Sequence, residues 1–167
     1  MRYLDITSPD INNGLGCRVT LWTSGCSHHC PGCQNPETWS FESGKEWDQS
    51  AKSELLEKLS KPYIKGLTLS GGDPMYSEKD LIPILKEIKE KFPEKDIWLY
   101  TGFELEQIKN HEILNYIDVL VDGQYIESLR DISLAFRGSS NQIIWEKSDN
   151  SEWVKSKLNK NENRRFD

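Results

Sequence analysis

The stretch Ile64-Lys-Gly-Leu-Thr-Leu-Ser-Gly-Gly-Asp-Pro74 decides how this chain is read. Its opening, IKGLTLS, is a short apolar run with the length of a buried strand, and Gly71-Gly72 ends it in a turn. Beyond Ser77 the period changes. Leu81, Ile84, Leu85 and Ile88 share one face at helical spacing, behind a capping-type Ser77-x-x-Asp80. Pro83 conflicts with one continuous helix from Glu78, so a short turn is expected first, with Pro83 in the first turn of the helix that follows.

The same alternation extends outward. Asp96–Thr101 and Ile117–Val121 read as further strands, closed by Gly102 and by Asp122-Gly123, with Arg18–Trp22 and Gln142–Trp145 flanking them. Helices fit at Ser50–Ser60, which places Leu55, Leu56 and Leu59 together, and more weakly at Glu104–Tyr116. Strand–helix–strand repetition implies an α/β fold with a parallel sheet, whose active site lies beyond the carboxyl ends of the strands. Those ends carry Ser70-Gly-Gly-Asp73, Thr101-Gly102 and Asp122-Gly-Gln124.

The 167 residues suit one domain but fall short of a complete (β/α)₈ barrel, which needs about 250. A net charge of −6 argues against a nucleic-acid or anionic-membrane binder. The longest apolar run, Leu81–Leu85, is far short of a membrane span, and Met1–Pro9 lacks the apolar core of a signal peptide. The expectation is a cytoplasmic protein whose four cysteines stay reduced and serve as metal ligands or catalytic groups.

Three of them form the strongest signal, Cys26-Ser-His-His-Cys30-Pro-Gly-Cys33. Thiolates at C-x3-C-x2-C spacing can cap three irons of a [4Fe–4S] cube and leave the fourth iron open for chemistry. His28 or His29 could instead complete a Cys3His zinc site, although no second, separated ligand pair is present to staple a fold. Cys17, upstream, reads as a small buried hydrophobe.

C-x3-C-x2-C is also the spacing of radical S-adenosylmethionine enzymes. Gly32 stands where that family usually has an aromatic residue. One subfamily expects this, the activating proteins of anaerobic ribonucleoside-triphosphate reductase, which the chain resembles to about residue 142. The resemblance is carried by Asp10-Ile-Asn-Asn-Gly-Leu-Gly16, Ser24–Asn35 with Thr38-Trp39, Leu69-Ser-Gly-Gly-Asp-Pro74, Asp96-Ile-Trp98 with Thr101-Gly102, Val119–Gly123 and Arg137-Gly-Ser-Ser-Asn-Gln142.

The resemblance implies a partial (β/α) barrel of about five or six mainly parallel strands. It implies one [4Fe–4S] cluster on Cys26, Cys30 and Cys33. S-adenosylmethionine would then be contacted by Gly32, Cys33, Gln34, Gly71, Gly72, Asp73 and Asp122. The implied activity is reductive cleavage of S-adenosylmethionine and transfer of radical character to a glycine of the reductase large subunit, with an electron donor such as flavodoxin. Related activases carry Asp-x-Lys where this chain has Asp122-Gly-Gln124, so Asp122 also reads as a plain Asp-Gly turn. Arg137–Gln142 reads either as a donor set for an anion or peptide backbone or as a loop before the last strand. The competing functions are a small-molecule radical enzyme and a zinc-binding interaction module.

These features divide the chain into an activase domain, 1–146, and a polar tail, 147–167, that is not a separate domain. The tail carries a local charge of +2 against −8 for the rest. It reads as a solvated terminal helix or frayed end, or else as a docking element anchored by Trp153.

Overall fold

The computed structural model describes residues 1–160, and its backbone is a single eight-stranded sheet ordered β3-β1-β2-β4-β5-β6-β7-β8. The strands are β1 (Arg2–Asp10), β2 (Arg18–Thr23), β3 (Lys45–Glu46), β4 (Gly66–Gly71), β5 (Asp96–Tyr100), β6 (Val119–Asp122), β7 (Ile143–Lys147) and β8 (Trp153–Lys155). Strands β2, β4, β5 and β6 run parallel, in the order that the strand–helix alternation implies. The remaining pairings, at both flanks, are antiparallel.

The sheet is therefore longer than the five or six mainly parallel strands expected, and parallel only at its centre. The extra strands are short or irregular, which explains why their pattern is faint. β1 pairs with β2 through two register shifts that break its alternation, so only Tyr3 and Ile6 stand out as buried apolar residues. β3 is two residues long and β8 three.

Successive side chains of a strand point to opposite faces, and here the two faces differ in kind. Ile6, Leu21, Leu67, Leu69, Ile97, Leu99 and Leu120 pack with the helices in one core. From α1 (Gln49–Leu59) that core takes Leu55 and Leu59; from α2 (Glu78–Lys91) it takes Leu81, Ile84, Leu85 and Ile88; from α3 (Leu105–Ile108) it takes the two terminal residues. The opposite face carries Arg18, Thr20, Thr68, Ser70 and a smaller cluster of Trp98, Val119, Val121 and Ile144. Most of the buried polar side chains of β2 and β4 thus lie on the face without helices.

Helix α2 departs from expectation. It runs unbroken from Glu78 with Pro83 in its interior. An interior proline costs about 3 kcal/mol. Burial of Leu81, Ile84, Leu85 and Ile88, at roughly 1.5–3 kcal/mol per side chain, outweighs that cost. Ser77 makes no side-chain cap, because the 3-10 turn Pro74–Ser77 feeds directly into the helix. Asp80 lies instead 2.9 Å from the Met1 amino group. Glu104–Tyr116 is broken as anticipated, into α3 and a 3-10 turn at Glu112–Tyr116.

The tail is structured as far as residue 160, which corrects its reading as a solvated helix or frayed end. β7 runs through Lys147 and pairs with β8, and the half-buried Trp153 packs on the main core beneath the Lys147 ammonium. The Asn159 side chain then acts as one more strand residue. Its amide accepts from the Ile144 N–H at 2.9 Å and donates to the Ile144 carbonyl at 2.8 Å. Residues 161–167 of the tail lie outside the described residues.

Candidate metal centre

The chain leaves β2 at Thr23 and enters the cysteine loop at once. Backbone bonds tie that exit to its surroundings: Gly25 N–H donates to the Thr38 carbonyl, Cys26 N–H to that of Trp39, and Asp73 N–H to that of Gly25. The third bond brings the loop against the end of β4. Gly71 and Gly72 are glycines for this contact. A Cβ on Gly71, whose φ is +107°, would strike the Thr23 backbone, and one on Gly72 would strike the Gly25 carbonyl. Close packing of two strand exits is therefore a sufficient cause for the Gly-Gly pair, and both residues also line the cleft that opens beside them.

That cleft has a volume of about 420 Å³ and lies on the helix-free face, beyond the carboxyl ends of the parallel strands. Cys26, Cys30, Cys33 and Gln34 line it together with Gly71, Gly72 and Asp73. Gly32 packs beside Glu127 and is outside the lining. Asp122 is outside it too: its buried carboxylate accepts the Leu105 N–H at 2.7 Å, at the start of α3. Burial raises the Asp122 pKa above the ordinary carboxylate value.

All four cysteines are free thiols, and Cys17 packs against the main core away from the cleft. Burial pushes the Cys26 and Cys30 thiols up, opposed by backbone N–H donors from His28 and His29 to Cys26 and from Tyr125 to Cys30. Cys33 Sγ accepts the Asn35 N–H at 3.4 Å. Each sulfur thus has at least one backbone donor, an environment suited to thiolates held by a metal. Among the described residues no three His, Cys, Asp or Glu side chains converge as a single-ion site requires. A cubane takes each thiolate on a different iron, so three thiols spaced around one cavity fit a [4Fe–4S] cluster better than a lone ion.

His28, a candidate zinc ligand in the sequence, is engaged elsewhere. Its Nε2 lies 2.8 Å from Asp73 Oδ2, and its Nδ1 lies 3.0 Å from Gln124 Nε2. Asp73 is almost wholly buried and also accepts from Thr101 Oγ1 at 2.9 Å, Gly102 N–H at 2.9 Å and Met75 N–H at 3.0 Å. Sequence reasoning placed Asp73 and Thr101-Gly102 at neighbouring strand ends but had no signal for the histidine that joins them.

The opposite wall is built by Arg137–Gln142. Gln142 Oε1 accepts the N–H groups of Gly138 and Ser139, and its Nε2 donates to the Gly123 carbonyl. Arg137 donates to the carbonyls of Ala135, Gln142 and Asn159, while remaining part of the lining. Much of this donor set is spent on shaping the wall. On the near side Asp10 fixes Asn12 and Asn13 at the rim through the Asn12 N–H, Asn13 Nδ2 and Thr20 Oγ1.

Fold and loop together define an iron–sulfur protein: residues 12–145 match the family model described as "4Fe-4S single cluster domain". The anaerobic ribonucleoside-triphosphate reductase-activating protein of Enterobacteria phage T4 is 45% identical over 151 residues, covering 89% of this chain and 96% of that protein. The proteins of the same name from Haemophilus influenzae and Escherichia coli K12 are 43% and 39% identical over 150 residues, each covering 86% of this chain and 97% of the relative. The chain belongs to this family of activating proteins.

Proposed function

We propose that this protein is a radical S-adenosylmethionine activase that generates a glycyl radical on the large subunit of anaerobic ribonucleoside-triphosphate reductase. The observation that carries the reading is the meeting of Cys26, Cys30 and Cys33 with the Gly71–Gly72 turn in one cleft at the parallel strand ends. Family membership adds the partner's identity, through the names of the relatives. The parallel centre with helices on one face only is the part of the architecture that supports a partial-barrel lineage.

Cys26, Cys30 and Cys33 would hold the cluster, as three thiolates with one iron left open. When bound, the cluster and S-adenosylmethionine would supply the hard chemistry, one-electron reductive cleavage of the C5′–S bond with the electron coming from a donor such as flavodoxin. The chain's own residues bind and orient. Gly71 and Gly72 offer backbone to the cofactor's amino group, next to the cysteine loop. Asn12, Asn13, Tyr100 and Gln142 give the cleft polar walls that can fix the remainder of the cofactor. The cleft lies on the sheet face opposite the helices, which suits access by a glycine-bearing segment of a protein substrate.

His28 is held by Asp73 and Gln124, so the zinc module loses one of its two candidate fourth ligands. No helix among the described residues is long and apolar enough to cross a membrane. The test is anaerobic incubation of the reconstituted protein with its reductase, reductant and S-adenosylmethionine. A glycyl radical on the reductase, seen by electron paramagnetic resonance, is the expected result; an intact cluster without that signal overturns the proposal.

A further inference from the structure

His28, in the cysteine loop, lines the cleft, and its surroundings are built to receive it. Its side chain is only 9% exposed. The ring stands edge-on to Phe103, with centroids 4.7 Å apart, and tilted against Tyr76 at 6.1 Å. Gly102 forms the floor of this pocket: a Cβ there would lie 2.6 Å from His28 Cδ2 and 2.7 Å from Nε2. The ring is thus held between two aromatic side chains and bonded at both nitrogens.

The polar contacts run in one line. Gln124, exposed at the end of β6, reaches Nδ1; Nε2 reaches Asp73; Asp73 in turn gathers Thr101 and Gly102 at the end of β5 and Met75 at the start of the turn into α2. With Gln124 Nε2 donating to Nδ1, the Nε2 proton is directed at the carboxylate. One side chain of the cysteine loop therefore fastens that loop to the exits of β4, β5 and β6 together. Asp73, which it bonds directly, follows the Gly71–Gly72 turn in the chain, and Gly102, which its ring packs against, shares the cleft lining with that turn.

We infer that His28 is a positioning residue: through Asp73 it sets the cysteine loop against the Gly71–Gly72 turn, so that whatever the loop holds faces whatever the turn holds at a fixed separation. The inference rests on the proposed reading for the identity of those two groups, a cluster and S-adenosylmethionine. Its chemical content is separate. Loss of the Asp73 bond lets the loop shift relative to the turn while leaving the three thiols free to load iron.

The variants follow from amide geometry. The side-chain nitrogen of glutamine can replace Nε2, whereas asparagine reaches only the place of Nδ1. His28→Gln should keep the Asp73 bond and His28→Asn should lose it. Gly102→Ala, which leaves His28 in place but displaces its ring, gives an independent route to the same defect. In each reconstituted protein, iron and sulfide content and the change in the reduced cluster's paramagnetic resonance spectrum on titration with S-adenosylmethionine are measured.

His28→Asn and Gly102→Ala should keep wild-type iron content but need about ten-fold more S-adenosylmethionine for the spectral change, and His28→Gln should restore most of the affinity. Wild-type affinity in His28→Asn or Gly102→Ala overturns the inference. So does a loss of iron parallel to the loss of affinity, which would mark a role in folding alone, and so does failure of glutamine to rescue. If the wild-type protein itself shows no spectral response to S-adenosylmethionine, the proposed function fails instead, and the two failures are distinguishable.

Discussion

The parallel centre of the sheet and its antiparallel C-terminal flank put their bonded polar side chains to different uses. At the ends of β2, β4 and β5, Asp73, Thr101 and His28 gather around a cavity, and the cysteine loop hangs over it. At β7 and β8, Asn159, Ser156 and Arg137 are bonded to protein groups, closing the sheet edge and bracing the cleft wall. Parallel strands deliver all their exits to one end, where turns and backbone donors accumulate without partners of their own. An antiparallel edge presents unpaired backbone that must be covered. The difference separates the part of the molecule that does chemistry from the part that holds its shape.

Substitutions on the two sides should therefore fail differently. The largest effect is expected at the loop: Cys26→Ala, Cys30→Ala or Cys33→Ala should each abolish both the cluster and glycyl radical formation, checked by iron and sulfide analysis. Retention of a full cluster in any of them would break the contrast. Asp73→Ala comes next. It strands four donors around a buried site, and stability in a denaturant titration should fall by about 3 kcal/mol or more.

Ending the chain after Lys147 removes β8, the Trp153 packing and the Asn159 bonds. A loss of about 2–3 kcal/mol is expected in the same titration, with iron loading retained. Loss of the cluster in that variant would show that the flank does more than brace. The smallest effect belongs to Cys17→Ala, a half-buried thiol beside the core, which should leave the cluster spectrum unchanged and cost about 1 kcal/mol or less.

Much of this was legible in the sequence wherever period and punctuation agree. The runs ending in Gly71-Gly72, Gly102 and Asp122-Gly123 are buried enough to read as strands, and their exits are where the cleft lies. The three cysteines announce themselves by spacing. What stayed hidden depends on pairing across long separations. β1 is bulged, β8 is three residues long, and Asn159 imitates a strand with its side chain, so none leaves a local period. Pro83 misled because local cost was weighed without the packing that overrides it. His28 was ambiguous for a similar reason: its partners Asp73 and Gln124 lie 45 and 96 residues away.

The central claim is that the cleft directs a 5′-deoxyadenosyl radical at a glycine of the partner. The most direct measurement uses reductase labelled with deuterium at its glycine α-carbons, mixed anaerobically with the reconstituted protein, reductant and unlabelled S-adenosylmethionine. Mass spectrometry of the 5′-deoxyadenosine produced should find one deuterium atom, gained as the glycyl radical forms. 5′-Deoxyadenosine that forms in quantity but carries no deuterium would contradict the account.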